Sequence, residues 1–385
     1  TPDPDGGKFV RDEQGRITGY AYDAAQQLVI PTSVDVGHHG PDIGYDLPLE
    51  ELVDDIDRAC KAYLKVGITS VVDPQVTTRE MPGYMAARKQ GKLTVKTTCM
   101  YLSNHQDAIN ELGITDHIGN DLLSIGPMKY YCDGALIGGT ALFYADEPQH
   151  DHGCKCNKSA GRGYTYWPDI EAFKEALIDT HRRGMQFGVH TQGDMAMDIV
   201  LDAIEEAHRR YPRDDTRHRI EHCHGPTREQ VARIKRLGVI PVTQPGQINE
   251  TGDDLTEIYG ERRAKRFCPL RDMFDEGIPA VVSTDAFVQS YKPFDAISAA
   301  VNRISLTGRD MGEAQRIGML EAIRAYTWNA AHSVYHETRK GSIEVGKLAD
   351  LVVIDSTLLS VPVEEIAKQE VLMTLSNGEV VYRKS

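Results

Sequence analysis

The sequence predicts an α/β fold, a parallel-stranded TIM-type (β/α) barrel with a small β unit at the carboxyl end. Three observations predict it. Strand-like apolar runs alternate with helix-period segments seven times between Ile68 and Thr284. Most of these runs finish in polar residues just ahead of a helix signal, and no Gly-x-Gly-x-x-Gly phosphate loop follows any of them. Strands joined through helices pair in parallel, and seven successive units favour a barrel over an open sheet. A doubly wound sheet is the alternative that the pattern leaves open.

The first 45 residues carry Gly, Pro and Asp throughout and read as an irregular lead-in, with a brief helical stretch at 21–30. From Leu47 to Val66 apolar residues recur at helical spacing (Leu49, Leu52, Val53, Ile56, Cys60, Leu64). Gly67 ends that helix, and Ile68–Asp73 follows as a strand. Strand 94–101 precedes a helix at 106–112, and strand 128–132 precedes a long loop. Pro168 suits the first position of a helix running to Arg183, with Ile170, Phe173 and Leu177 along it. The next strand starts at Gln186 and closes on Gly188-Val189-His190-Thr191-Gln192-Gly193-Asp194. Asp194 falls where an N-cap belongs, because Ile199, Val200, Ala203, Ile204 and Ala207 share one helical face beyond it. The run 217–224 repeats the design and ends in imidazoles, followed by Gly225-Pro226 and a helix from Thr227. Strand 238–244, helix 262–276 and strand 278–284 complete the alternation. The tail differs: 341–355 and 371–382 alternate as short strands, and Asn377-Gly378 is a hairpin turn. The expected division is a lead-in over 1–45, a barrel over 46–335 and a β portion over 336–385.

Composition narrows the function. The formal net charge is −14, from 43 basic and 57 acidic residues, with no basic block, so nucleic acid and anionic membranes are poor partners. No apolar run approaches a bilayer span, and the opening Thr1-Pro2-Asp3-Pro4-Asp5-Gly6-Gly7 has no signal-peptide pattern. Seven cysteines scattered along the chain are ordinary thiol usage, and a cytoplasmic location is the default expectation.

Four residues stand at the expected carboxyl ends of strands: Lys129, His190, His222 and Asp285, spaced by 61, 32 and 63 residues. Those spacings correspond to one long βα unit, one ordinary unit and two units. In such folds the carboxyl ends of the strands form one rim, where side chains from different strands converge. A single histidine there is most often structural. Two on adjacent strands with a terminal Asp form the donor set of a hydrolytic Zn²⁺ that keeps a position open for water. Lys129 lies on a strand fit for burial, where a bare ammonium is costly, so it is expected to pair with an acid such as Asp133 or to be chemically modified.

Further residues are candidates for substrate contact: His224, two residues beyond His222, together with Asp194 and Tyr131. Tyr130, Tyr131, Tyr164, Tyr166 and Trp167 line an aromatic pocket or, equally, pack a core. His150-Asp151-His152-Gly153-Cys154-Lys155-Cys156 could hold a metal of its own, but the spacing departs from Cys-x₂₋₄-Cys, and a loop over the pocket mouth is the favoured reading.

At these residues the chain resembles metal-dependent hydrolases of the amidohydrolase superfamily, in the branch of N-substituted formamide deformylases and exoenzyme regulatory proteins. The text that carries the resemblance includes Thr1-Pro2-Asp3-Pro4, Gly67-Ile68-Thr69-Ser70-Val71, Lys129 with Asp133-Gly134, and His190 with Gly193-Asp194. It continues through Arg217-His218-Arg219-Ile220-Glu221-His222, Gln244-Pro245, Ser283-Thr284-Asp285 and Gly346-Lys347-Leu348-Ala349-Asp350. The resemblance implies a TIM-type barrel with a β-sandwich, and hydrolysis of an amide or N-acyl C–N bond by metal-activated water. It implies one or two divalent ions, most simply Zn²⁺, held by a carboxylated Lys129, His190, His222 and Asp285, with Asp285 as general base. The expected partner is a small-molecule amide substrate, neither nucleic acid nor a membrane, and a homodimer is compatible with it. A non-catalytic binding or regulatory protein on the same barrel is the rival reading. The family's first strand ends in a His-x-His pair that has no counterpart ahead of Thr1, and His38-His39 has the wrong spacing to replace it. A chain lacking that first strand and part of the sandwich is therefore expected.

Overall fold

The structure, a computed structural model, describes the chain except residues 6, 31, 42, 43, 45, 116 and 145–162 and the side chain of Asp23. An antiparallel hairpin of β1 (Gly7–Arg11) and β2 (Ile17–Asp23) opens it, so the lead-in is less irregular than expected. The helical stretch expected at 21–30 shrinks to a 3-10 turn at Ala24–Leu28, because β2 claims the residues up to Asp23. Then α1 (Leu49–Lys65) delivers β3 (Ser70–Val76), and α2 (Met81–Lys89) delivers β4 (Lys96–Tyr101). Next come α3 (Gln106–Glu111), an antiparallel pair β5 (Ile118–Gly119) and β6 (Leu123–Ile125), and β7 (Met128–Tyr131).

Beyond 145–162 the alternation is regular. It runs through α4 (Ile170–Arg182), β8 (Phe187–Thr191), α5 (Asp194–Arg210), β9 (Arg219–His222), α6 (Arg228–Arg236) and β10 (Ile240–Thr243). After them lie α7 (Pro245–Tyr259), α8 (Glu261–Ala264), α9 (Leu270–Asp275), β11 (Val281–Val282), α10 (Pro293–Asn302), α11 (Met319–Tyr326) and α12 (Trp328–His332).

Local chemistry moves several expected boundaries. Asp169 caps α4, its Oδ1 accepting from the amides of Glu171 (2.9 Å) and Ala172 (3.1 Å), so Pro168 precedes the cap instead of opening the helix. Asp194 is the first residue of α5 and Gly193 its N-cap, because the Asp194 carboxylate is used elsewhere. The single helix expected at 262–276 is two, broken where Cys268 takes φ 52° ahead of Pro269. β11 is shorter than the apolar run 278–284, in which Pro279 brings no N–H to a ladder.

β7 to β11 pair in parallel in chain order, with Gly188 between Lys129 and Arg219 and Val242 between Glu221 and Val281. β3 and β4 are also parallel, and a parallel bridge from Leu102 to Lys129 joins the two sheets. β6 also pairs with β4 in parallel, just ahead of β7, so among the described residues the parallel strands succeed one another in chain order without the reversal that a doubly wound sheet requires. Among the described residues no ladder joins β3 to β11. Outside the sheet, Phe173 and Leu177 of α4, Val200 and Ile204 of α5, and Ile234 of α6 belong to one core with Phe187, Val189 and Ile220.

The tail forms the expected antiparallel unit, β12 (Leu351–Ile354), β13 (Val371–Ser376) and β14 (Glu379–Arg383). Asn377 (φ 53°) and Gly378 (φ 85°) make its turn. Lys96 Nζ binds Asp350 at 2.7 Å and Ser376 at 2.9 Å, and Thr374 Oγ1 donates to the Leu64 carbonyl at 2.7 Å, which ties the unit to β4 and α1. No described helix is long and apolar enough to cross a membrane.

Candidate metal centre at the carboxyl rim

Side chains two apart on a strand share a face, so Lys129 and Tyr131, Gly188 and His190, and Arg219 and Glu221 form three facing pairs in register across β7, β8 and β9. Gly188 leaves room there, since a Cβ would come within 2.6 Å of both Glu221 Oε1 and Met100 Cε and one of those side-chain ends would have to shift. Arg219 grips Glu221 with two bonds, Nε to Oε1 at 2.7 Å and a terminal nitrogen to Oε2 at 3.0 Å. This buried pair was not anticipated from sequence; its signal is two opposite charges on one face of a short apolar strand. Strict alternation would send His222 to the face opposite Glu221. Left-handed backbone at His222 (φ 74°) and Cys223 (φ 45°) breaks the strand, and the His222 ring stands edge-on to His190 with centroids 4.2 Å apart.

The proton on each imidazole follows from its partner. His190 Nε2 lies 3.0 Å from the Gly134 carbonyl, which can only accept, so Nε2 carries the proton and Nδ1 keeps its lone pair. The longer approach of the Gln192 amide nitrogen, 3.4 Å, does not alter this. His222 Nδ1 lies 2.9 Å from Gln244 Oε1, which leaves Nε2 as its lone pair. Burial holds the His190 pKa well below the usual imidazole value, with His222 and Lys129 adding to the shift. Burial also lowers that of His222, against the opposing pull of Asp285. Gly134 is steady because Asp133, fully buried, accepts amide protons from Gln192 (3.0 Å), Leu142 (2.9 Å) and Gly193 (2.9 Å).

Asp133 is thus bonded to backbone and is not the partner expected for Lys129. Burial brings the Lys129 ammonium down to about 8, while Glu221 and Asp285 pull it up, and Nζ lies 4.3 Å over the Tyr131 ring. Lys129 sits two residues short of the end of β7, a position that Tyr131 fills. Tyr131 stacks on His190 at 4.8 Å and donates to Gln75 Oε1 at 2.6 Å. Asp285 follows β11 half-buried, in left-handed backbone (φ 51°), with its charge acting on Lys129 and His222.

Two further residues expected at the substrate already have partners within the protein. His224 is fully buried behind His222, its Nε2 3.1 Å from Gln244 Oε1. Asp194 is committed to structure, accepting from the Tyr144 amide at 2.9 Å and lying 3.7 Å from Arg263. His38 and His39 stack on each other and meet Trp167 edge-on, and His39 Nδ1 lies 2.8 Å from Ser103 Oγ. The cluster His150, Asp151, His152, Cys154 and Cys156 lies outside the described residues.

A second imidazole group has ligand atoms within 4.8 Å of one another: His181, His208 and His218, at the opposite ends of the strands. The spacing could hold a metal ion, but the protons are already committed. The Phe187 amide donates to His218 Nδ1 at 3.3 Å, so His218 Nε2 donates to His181 Nδ1 at 2.8 Å and His181 Nε2 to the Tyr211 carbonyl at 2.7 Å. Burial lowers all three pKa values, His218 the most strongly. Above pH 6.5 these histidines are neutral whether the chain is folded or unfolded. Below it the unfolded chain takes up protons that the folded chain refuses, so stability falls as pH drops. His218 alone steepens that loss by about 1.4 kcal/mol per pH unit. Urea unfolding at pH 7.5, 6.5 and 5.5 checks this, and a slope below pH 6.5 equal in the parent and in His218→Gln would refute it.

A singly wound α/β sheet whose carboxyl rim gathers two neutral imidazoles, a depressed lysine and an aspartate has the donor set of a metal-dependent catalyst. The chain belongs to the amidohydrolase family, which it matches over residues 1–382. It is 30% identical to N-substituted formamide deformylase of Arthrobacter pascens, aligned over 100% of this chain and 69% of that protein. It is 27% identical to the putative amidohydrolase YtcJ of Bacillus subtilis (strain 168), again over 100% of this chain and 69% of that protein. Among solved structures, an uncharacterized metal-dependent hydrolase from Pyrococcus horikoshii OT3 superposes with a TM-score of 0.70 at 24% identity, covering 83% of this chain and 62% of that one. One from Pyrococcus furiosus gives 0.68 at 25%, covering 82% and 62%. The chain thus spans about two thirds of the length of the relatives it matches. The family implies a TIM-type barrel.

Proposed function

We propose that this chain works as a metal-dependent hydrolase that cleaves a C–N bond of an amide or N-acyl compound, with formamides as the first class to try. The observation that carries it is the pair of unprotonated nitrogens, His190 Nδ1 and His222 Nε2, on rings 4.2 Å apart beside Lys129 and Asp285. Neutral imidazoles with a carboxylate suit Zn²⁺, so the residues present fit the ion. Bound there, a divalent ion would supply Lewis acidity toward the substrate carbonyl and make water acidic enough to act near neutral pH.

The chain's own residues supply the rest. Asp285 takes the proton from water and returns it to the leaving amine. Lys129 joins the ligands as a carbamate: its free amine attacks CO₂, and one proton leaves. A pKa near 8 keeps that free amine accessible. In this reading β3, β4 and β7 to β11 are seven strands of the family's barrel, β12 to β14 belong to its sandwich, and the enzyme acts in the cytoplasm.

The test is metal analysis by mass spectrometry on purified protein, with formate release from N-alkylformamides measured before and after zinc loading. His190→Ala and His222→Ala should each weaken zinc binding by at least about tenfold, since each removes one of few ligands. Zinc bound equally well by the double variant would move the centre elsewhere. A parent chain that holds zinc but turns over no amide would leave a binding or regulatory protein as the reading.

A further inference from the structure

Gln244 stands immediately after β10, and its side chain ties three successive strand ends together. Its Nε2 donates to the Val242 carbonyl at 3.3 Å and to Ser283 Oγ, beyond β11, at 2.9 Å. Its Oε1 receives two bonds from the β9 end, from His222 Nδ1 at 2.9 Å and from His224 Nε2 at 3.1 Å. One obligate acceptor fixes which way the amide faces. The Val242 carbonyl decides this, because a turned amide would set Oε1 against that carbonyl, acceptor against acceptor, whereas Ser283 and the two imidazoles could meet either orientation.

From this geometry we propose that Gln244 is a positioning residue that selects the tautomer of His222, holding its proton on Nδ1 so that Nε2 faces the rim as a ready ligand nitrogen. The selection matters because a neutral imidazole unconstrained in water favours the other tautomer, with the proton on Nε2, which presents no lone pair at that nitrogen. His224 serves the same end. It fills the second acceptor site of Oε1 and is fully buried, so no water competes there for the oxygen. Its Nδ1 has no hydrogen-bond partner among the described residues, which agrees with a ring whose one proton is spent on Gln244. Partners that orient ligand imidazoles commonly change metal affinity by 10–100-fold.

The inference rests on the proposed metal centre for its purpose, but its first readout does not need metal. Long-range ¹⁵N–¹H correlation spectra of the metal-free protein should show His222 protonated at Nδ1. A His222 protonated at Nε2 in the parent chain would overturn the proposal, whether or not the protein binds zinc. Gln244→Met removes the acceptor at similar volume and should shift His222 toward the Nε2–H form while weakening zinc binding about 10–100-fold. Gln244→Glu restores an acceptor and should recover both the tautomer and most of the affinity. Unchanged tautomer and affinity in Gln244→Met would likewise defeat it. If the methionine variant fails to fold, the parent spectrum and the glutamate variant still decide. A parent chain with the Nδ1–H tautomer and no zinc binding would overturn the metal centre and leave the tautomer clamp standing.

Discussion

Asp285→Asn should fold as the parent chain does and lose turnover by about 10²–10⁴-fold at saturating zinc, the range that removal of a general base produces. The residue follows β11 half-buried in left-handed backbone, and its charge is felt by Lys129 and His222. Asparagine keeps the shape and can still accept a hydrogen bond, but its amide cannot take a proton from water. Asparagine also tolerates positive φ, so the backbone at Asp285 is not penalised. Zinc content is measured alongside, because the carboxylate is a proposed ligand as well. Turnover within threefold of the parent at full zinc occupancy would remove Asp285 from the mechanism.

The largest loss of stability should come from Asp133→Ala, at least about 3 kcal/mol, because it leaves the three buried amides of Leu142, Gln192 and Gly193 without acceptors. Asp133→Asn should cost less, since an amide oxygen satisfies up to two of the three. Burial pushes the Asp133 pKa up to about 7 while the three N–H groups resist. The same substitution should reach the rim. Asp133 secures the turn whose Gly134 carbonyl receives the His190 proton, so zinc affinity should drop together with the denaturation midpoint. A midpoint shift worth under about 0.5 kcal/mol in the alanine variant, within the spread of ordinary surface changes, would show that water satisfies those amides instead.

Much of this centre was legible from residue spacing. His190, His222 and Asp285 could be placed at one rim because βα units repeat, and each strand of a parallel sheet ends on the same side as the last. The tail hairpin was legible because Asn-Gly meets a backbone demand that few other pairs meet. The resemblance added roles to positions that the alternation had already set. Long-range contacts shift what local sequence implies. Asp194 has the local chemistry of a cap, yet its carboxylate is drawn to Tyr144, fifty residues earlier in the chain, and Gly193 takes the cap position. His224 lies two residues from His222, but the φ reversal at His222 and Cys223 breaks the alternation that would put the two on one strand face.

Alternation of apolar strands and amphipathic helices determined the parallel sheet and its order by itself, since backbone pairing and burial of one helix face depend on periodicity and little on identity. The protons were decided only by tertiary structure. Nothing near His190 in sequence indicates that a carbonyl at position 134 will hold its Nε2 hydrogen. Nothing near His222 indicates that Gln244, 22 residues later, will take its Nδ1 hydrogen. A neutral imidazole offers one lone pair, and which nitrogen offers it depends on the partner at the other nitrogen, which in this protein comes from a different strand or loop once the sheet has formed.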